Sequence, residues 1–154
     1  MVSVFGLLRE LTNLKTQKLT NLKTYKLKNM KAISTTNAPS AIGPYSQGIE
    51  ANGTVYVSGQ LPINPATGKF AEGGIQAEAR QSLTNIKNIL AEAGLTMANV
   101  VKVTVLLADI NDFAAVNEVY AEFFTAPFTA RSAFAVAALP KNANIEIAAI
   151  ASKG

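Results

Sequence analysis

The chain has 154 residues, and 49% of them are apolar, which favours one domain with a substantial core. It contains neither cysteine nor histidine, which excludes disulfides, thiol nucleophiles, Ser-His-Asp triads and histidine-based zinc sites. The net charge of +4 is uneven: residues 1–29 carry six basic and one acidic group (+5), and residues 30–154 carry eight basic and nine acidic groups (−1), so the larger part lacks the basic character of a nucleic-acid-binding domain.

The first 29 residues are lysine-rich and low in complexity. TNLKTQKL (Thr12–Leu19) is followed directly by TNLKTYKL (Thr20–Leu27), and two such short copies do not make a repeat fold. We therefore expect residues 1–29 to be a disordered extension, with Met30 as the true start of translation. A weak helical face that touches an anionic membrane is the alternative. No run of 18 apolar residues occurs, so we expect neither a membrane span nor a membrane partner.

Residues 30–154 have the pattern of one compact α+β domain. Asn52-Gly53 separates two apolar runs and predicts a hairpin of Gln47–Ala51 and Val55–Gln60, with an additional strand at Lys31–Thr35. Apolar residues at spacings of three and four predict a helix over Gly74–Gly94, which Gly94 ends.

The second half of this domain alternates in the same way. Val100–Ala108 is predicted to be a strand whose valines, Val101 included, face the helices. Asp109 and Asn111 are candidate caps for a helix over Asp112–Phe124 with an aromatic and apolar core face. The members of that face are Phe113, Val116, Tyr120 and Phe123. The last two predicted strands are Arg131–Ala138 and Ile145–Ser152, separated by Pro140.

The order of elements predicts a mixed sheet with two helices packed on one face. The opposite face then needs a partner, and the residues assigned to it are small and apolar. They are Ala133, Ala135, Ala137 and Ala148. Burial between subunits would suit such a surface, so we expect a homo-oligomer.

Arg131 and Glu146 are the most informative charged residues. Arg131 is the only charge between Phe123 and Leu139, and it begins an apolar strand. Such a guanidinium is either paired with a structural carboxylate or used as a clamp for a carboxylate ligand. Glu146, the only acidic residue after Glu122, is either its partner, a solvated edge residue, or a carboxylate that positions water and passes protons.

Three further residues are candidates for lining a site. Gly-Pro before Tyr45 fixes a turn that aims this ring, although a packed tyrosine with a wet hydroxyl is the commoner role. Gly59 permits close approach of a ligand to the backbone or marks a bulge. Ser58 has no general base available to it and is not a credible covalent nucleophile.

Several motifs in one order resemble the Rid/YjgF family, of the RidA-type subgroup. They are AIGPYSQG (Ala41–Gly48), VSGQ (Val57–Gln60), QSL with Asn85 (Gln81–Leu83), VKVTV (Val101–Val105), ARS (Ala130–Ser132), LPK (Leu139–Lys141) and IEI (Ile145–Ile147). The resemblance covers residues 30–154 and excludes the first 29.

The resemblance implies a chorismate-mutase-like fold of the Bacillus type and a homotrimer with clefts between subunits. It implies an enzyme that hydrolyses reactive 2-imino acids, such as 2-iminobutanoate and 2-iminopropanoate, and enamines such as 2-aminoacrylate. The products are 2-oxo acids and ammonia, and the reaction protects pyridoxal-phosphate enzymes. Carried over by position, Arg131 binds the substrate carboxylate and Glu146 orients the attacking water. Tyr45, Ser58, Gly59, Asn117 and the main chain at Ala133 line the cleft.

We expect no cofactor, no metal and no nucleic-acid partner, and a cytoplasmic location. The chain departs from the family pattern at Thr129 in place of proline, at Ala133 in place of cysteine, and in the short loop Thr125–Thr129, which bears on substrate preference. A small-molecule-binding regulatory module is the first alternative function, and it would tolerate loss of Glu146. A ribonuclease is the second.

Overall fold

A computed structural model describes residues 4–154, with the side chains of residues 26–28 excepted. The chain forms two compact units, one that ends at Lys31 and one from Ala32 to Gly154. The helices are α1 (Val4–Asn29), α2 (Gly74–Glu92) and α3 (Phe113–Phe123). The strands are β1 (Met30–Ile33), β2 (Gly48–Ala51), β3 (Thr54–Gln60), β4 (Val100–Leu107), β5 (Ala130–Ala135) and β6 (Ile145–Ser152).

Helix α1 occupies the segment for which the composition predicts disorder. Lysine and leucine favour a helix, and four threonines spaced four apart each donate a hydroxyl hydrogen bond to the carbonyl of the preceding turn. Every side chain from Val4 to Tyr25 is exposed. Because helices in proteins gain most of their stability from packing, disorder of this segment in solution stays a prediction. No helix within residues 4–154 is both long enough and apolar enough to cross a membrane.

The strands form one open, mixed sheet in the order β1-β2-β3-β6-β4-β5. Strands β4 and β5 run parallel, while the β2–β3, β3–β6 and β4–β6 pairs are antiparallel. The predicted hairpin is confirmed: Asn52 and Gly53 have φ angles of 50° and 75°, the left-handed pair that a tight two-residue turn requires. The predicted α+β class with a mixed sheet is therefore confirmed.

One face of the sheet is buried under α2 and α3. Helix α2 ends at Glu92 and, as predicted, Gly94 stops it: Gly94 takes a φ of 74° and the Leu95 amide donates to the Leu90 carbonyl at 2.9 Å. Helix α3 follows a short 3-10 turn that Asp109 caps by accepting from the Asn111 amide. Its core residues are Val116, Val119 and Tyr120, while the predicted Phe113 and Phe123 are only partly buried.

Two sequence predictions about side-chain direction are wrong. Val101 is exposed because a bulge between Val100 and Lys102 shifts the alternation of β4. Ala133 and Ala135 lie on the helix-covered face, because parallel pairing places them level with Val105 and Leu107.

Strand β5 also ends earlier than predicted. It stops at Ala135, so Ala137 lies outside the sheet, and Ala148 alone of the four alanines lies in a strand on the open face. Glu146 precedes it on that same face, since it is level with Leu106 while its two isoleucine neighbours are buried.

Candidate functional site

The sheet separates the two charged candidates. Arg131 is level with Val103, whose side chain is buried under the helices, whereas Glu146 is level with Leu106 on the open face. Neighbouring residues in register point to the same side of a sheet, so the two side chains leave opposite faces. Within one chain Arg131 and Glu146 are not partners.

Arg131 lies against one face of α3, a set of neighbours that we call the Arg131 patch. The Arg131 NH1 group donates to Oδ1 of Asn117 at 2.7 Å. Its guanidinium carbon lies 4.6 Å from the ring centre of Tyr120 and 5.3 Å from that of Phe113. Phe113, Asn117 and Tyr120 are spaced four and three apart, so α3 presents them on one side. Two rings and one amide therefore orient the guanidinium without neutralising it.

The guanidinium is open to a ligand. In the described part of the chain no carboxylate lies within ion-pair distance of Arg131, so the predicted structural ion pair does not form within this chain. Arg131 is exposed, and among the described residues only its NH1 group makes a hydrogen bond. The other N–H groups of the guanidinium can therefore bind both oxygens of a carboxylate.

Tyr120 supports this patch as a neutral ring. Burial raises the pKa of the Tyr120 phenol, more than its bond to Thr129 and the nearby Arg131 charge lower it. The phenol pairs with the hydroxyl of Thr129, the residue before β5. Thr129, which replaces the proline expected from the family pattern, thus ties the start of β5 to α3.

Glu146 lines a cavity of about 430 Å³, which we call the Glu146 cleft. Its lining residues are Ile42, Tyr45, Ser58, Gly59, Leu61, Pro140, Lys141 and Glu146. A smaller adjoining cavity of about 290 Å³ shares Tyr45, Gly59 and Leu61 and continues to Ile63 and Pro65. The cleft therefore combines one carboxylate with mostly apolar walls, the usual character of a small-molecule site.

A bulge in β3 shapes the floor of the cleft. Val57 pairs with Ala149 and Gln60 with Ile147, so β3 has one residue more than β6 over this span, at Ser58–Gly59. The buried Gln60 amide fastens the bulge by donating to the Ser58 carbonyl at 3.0 Å. A Cβ at position 59 would overlap Oε1 of Glu146, so glycine is required for the carboxylate to lie against the backbone.

The environment of Glu146 favours proton exchange. Partial burial raises the pKa of the Glu146 carboxyl above its usual range. No described cation lies within ion-pair distance of it. A carboxylate with a raised pKa is a better base for water than an ordinary exposed glutamate.

The remaining cleft residues are arranged for contact with a ligand. Ser58 donates its hydroxyl to the Ser46 carbonyl at 2.6 Å, which leaves its oxygen lone pairs as acceptors. Tyr45 is 50% exposed and lines the same cleft. Lys141, for which sequence reasoning assigned no role, lines the cleft with a left-handed φ of 57°.

The seven predicted site residues thus form two groups. Tyr45, Ser58 and Gly59 lie with Glu146, whereas Asn117 lies with Arg131 and Ala133 packs on the same face of the sheet. Sequence reasoning read Phe113 and Tyr120 only as core, although their spacing from Asn117 was a usable signal. Among residues 4–154 no group of acidic side chains is placed to hold a metal ion.

Comparison with known proteins gives a consistent picture. The family model described as Endoribonuclease L-PSP matches residues 35–153. A goat (Capra hircus) protein named 2-iminobutanoate/2-iminopropanoate deaminase is 57% identical over 122 residues, covering 79% of this chain and 89% of that protein. A protein of the same name from Salmonella typhimurium is 53% identical, covering 77% and 94%. The crystal structure of E. coli TdcF with bound serine matches with a TM-score of 0.77 and 46% identity, covering 80% of this chain and 99% of that one.

Proposed function

This chain belongs to the endoribonuclease L-PSP family, the Rid/YjgF family that its motifs resemble, and from that premise we propose that it is a 2-imino acid deaminase. It hydrolyses 2-imino acids and their enamine tautomers, such as 2-aminoacrylate, to 2-oxo acids and ammonia. The goat and Salmonella relatives are named for the deamination of two such acids, 2-iminobutanoate and 2-iminopropanoate. The observation that carries the proposal is the Arg131 guanidinium, held by neutral groups and paired with no carboxylate of the described chain.

Substrate binding falls to the Arg131 patch. A 2-imino acid carries a carboxylate next to the C=N carbon, and a two-point Arg131 contact fixes both its position and its plane. Asn117 accepts a hydrogen bond from NH1 and so orients the guanidinium. The main chain at Ala133, two residues along β5 on the same face, lies beside the imine end. That TdcF was crystallised with serine, which also carries a carboxylate, is consistent with this role.

Catalysis falls to Glu146. The carboxylate takes a proton from water as the water oxygen attacks the C=N carbon, and the imine nitrogen gains a proton. In the resulting carbinolamine the hydroxyl proton passes through the Glu146 carboxylate to the amino nitrogen, the C–N bond breaks, ammonia leaves and the C=O bond forms. Imines hydrolyse readily in water, so positioning and one proton-transfer group, worth roughly 10²–10⁴-fold, are sufficient. Neither metal nor cofactor takes part.

The two groups act on one substrate only if they come from different subunits. Arg131 and Glu146 leave opposite faces of the sheet, so a second copy must bring its Arg131 patch to the Glu146 cleft. The open face offers an apolar surface for that contact, including Tyr56 and Phe134, each 49% exposed, with Leu106 and Ile150. We propose a homotrimer of the chorismate-mutase-like type with the active clefts between subunits.

The cellular role follows from the chemistry of the substrate. Reactive enamines released by pyridoxal-phosphate dehydratases attack other pyridoxal-phosphate enzymes, and their hydrolysis by this protein in the cytoplasm would prevent that damage. The slightly acidic composition of residues 30–154 argues against RNA as the substrate, although the family description names a ribonuclease.

A trapping assay tests the proposal. A serine dehydratase generates 2-aminoacrylate, semicarbazide traps whatever stays unhydrolysed, and the trapped product is measured with and without this protein. We expect suppression by the wild type and none by Arg131→Ala or Glu146→Gln. A folded oligomer that suppresses nothing would contradict the proposal and favour a binding module. RNA cleavage that disappears in Arg131→Ala would favour the ribonuclease.

A further inference from the structure

Within the described part of the chain, a buried carboxyl outside the cleft has a single hydrogen-bond partner. Glu78 in α2 is 8% exposed, and its Oε1 accepts a hydrogen bond from Asn144 Nδ2 at 2.9 Å. Its Oε2 and the hydroxyl of Ser82, one turn further along α2, are buried without a hydrogen-bond partner in the described structure. Burying a carboxyl with one neutral donor is costly, so a residue of this kind is expected to serve a purpose.

Asn144 links this carboxyl to the strand that carries Glu146. It immediately precedes β6, and Glu146 follows two residues later. The Asn144 carbonyl also accepts from the Ala108 amide at 2.9 Å, just beyond the end of β4. The side chain of Asn144 is thus tied to α2 and its backbone to β4, at the point where the chain enters β6.

The turn before Asn144 needs such anchoring. Lys141 and Asn142 are consecutive non-glycine residues with left-handed φ angles of 57° each. Conformations of this kind persist only where the surroundings fix the backbone. The same turn supplies Pro140 and Lys141 to the wall of the cleft, which Gly59 and Glu146 also line.

We propose that Glu78 is a positioning residue, which through Asn144 fixes the turn into β6 and so holds Glu146 against Gly59 in the cleft. The inference rests on the proposed role of Glu146 in the deaminase reaction. The carboxyl of Glu78 itself touches no substrate. Replacement of Glu78 should leave every cleft residue present but free the turn before β6, so that Glu146 is held less firmly in the cleft.

The first test follows the Glu146 carboxyl directly, without any need for activity. The full chain is labelled with carboxyl-¹³C glutamate, the Glu146 signal is assigned with Glu146→Gln, and its pKa is measured by NMR. Lys141 and Tyr45, the other ionisable residues that line the cleft, are left unchanged. In Glu78→Ala and in Asn144→Ala the freed turn admits water, so the Glu146 pKa should fall toward the ordinary range. Glu78→Gln keeps the acceptor for Asn144 and should keep the raised pKa.

This set of variants separates position from charge. Asn144→Ala keeps the Glu78 carboxyl but breaks the bond, while Glu78→Gln removes the carboxyl but keeps the bond. If charge alone mattered, both Glu78 variants would shift the Glu146 pKa and Asn144→Ala would not, which would overturn the proposal. Asn144 is exposed, so its replacement should fold even if Glu78→Ala does not.

The second test is kinetic. We expect Glu78→Ala and Asn144→Ala to lower kcat by about tenfold with KM within about twofold, because a shift of the base affects the reaction more than binding. Glu78→Gln should restore kcat. Gln76→Ala, which removes an exposed α2–α3 bond at 2.6 Å, is the matched control and should match the wild type. A wild type without deaminase activity would contradict the proposed function, while the titration would still decide the role of Glu78.

Discussion

The Arg131 patch and the Glu146 cleft carry opposite charges and differ in how far the charged side chain is buried. Arg131 is exposed and is oriented by two rings and an amide. Glu146 is half-buried against a glycine backbone, and that burial raises its pKa. A group that must bind an anion benefits from a fixed, permanent charge, whereas a group that must exchange a proton benefits from a charge that is easily lost. The contrast supports our proposal that Arg131 binds the substrate and Glu146 transfers the proton.

Replacement of Arg131 should have the largest effect. Arg131→Ala removes a two-point charged contact, so kcat/KM for 2-iminobutanoate should fall by about 10²–10³-fold. Arg131→Lys keeps the charge but loses the two-point contact, so its kcat/KM should lie between those of Arg131→Ala and the wild type. Steady-state kinetics with in situ generated imine measures both. Equal activity of Arg131→Lys and the wild type would mean that charge alone, without orientation, holds the substrate.

Replacement of Glu146 should lower kcat by about 10²-fold and leave KM nearly unchanged. In the wild type, the active carboxylate is lost as the pH falls through its raised pKa, so kcat should decline on the acid side at a higher pH than for an ordinary glutamate. Glu146→Gln should abolish that decline, and Arg131→Lys should retain it. A pH profile of kcat without an acid limb would contradict the assignment of Glu146.

The half-buried carboxyl of Glu146 should also make the folded state less stable at neutral pH. Because its pKa is raised in the folded state, stability is lost as the pH rises from the unfolded pKa through the folded one. Glu146→Gln removes this loss and should therefore raise Tm at neutral pH while it lowers kcat. Thermal unfolding at pH 4 and pH 7 measures the difference, which should be smaller at the lower pH.

Gly59→Ala should have an intermediate effect confined to the cleft. Its methyl group would displace the Glu146 carboxylate, so kcat should fall by about tenfold with a smaller change in Tm. Gly43→Ala is the matched control, since a Cβ there lies 3.5 Å from the Tyr45 ring, an ordinary contact. Full activity in Gly59→Ala would show that the carboxylate need not lie against this backbone.

Removal of residues 1–29 should have the smallest effect. Both charged groups belong to the unit from Ala32 to Gly154, so a chain that starts at Met30 should keep kcat/KM within about twofold. Circular dichroism of the full and shortened chains also tests the expected disorder of the extension. An unchanged helical signal per molecule would contradict α1 as a stable helix in solution.

Local signals made much of this fold predictable. Asn52-Gly53 fixed the hairpin, Gly94 ended α2, and the alternation around Glu146 gave its face correctly. The faces of Ala133 and Ala135 were not predictable in the same way, because they depend on how β5 pairs with β4, a segment distant in sequence.

The site shows the same division between local and distant determinants. Motifs made Arg131 and Glu146 the candidate site residues, yet nothing local indicated that they leave opposite faces of the sheet. The Glu78–Asn144 bond joins residues 66 positions apart, and the ring support of Arg131 comes from another element. Contacts of this kind emerge only once the packing of α2, α3 and the sheet is known.

Subunit mixing tests the central claim that each active cleft combines Arg131 of one subunit with Glu146 of another. Arg131→Ala and Glu146→Ala chains, each inactive alone, are unfolded together in equal amounts, refolded and assayed. Random assembly of a cyclic homo-oligomer gives an intact pair at about one cleft in four, so about a quarter of wild-type activity should return. Mixed oligomers that form but stay inactive would place Arg131 and Glu146 in one subunit and contradict the account.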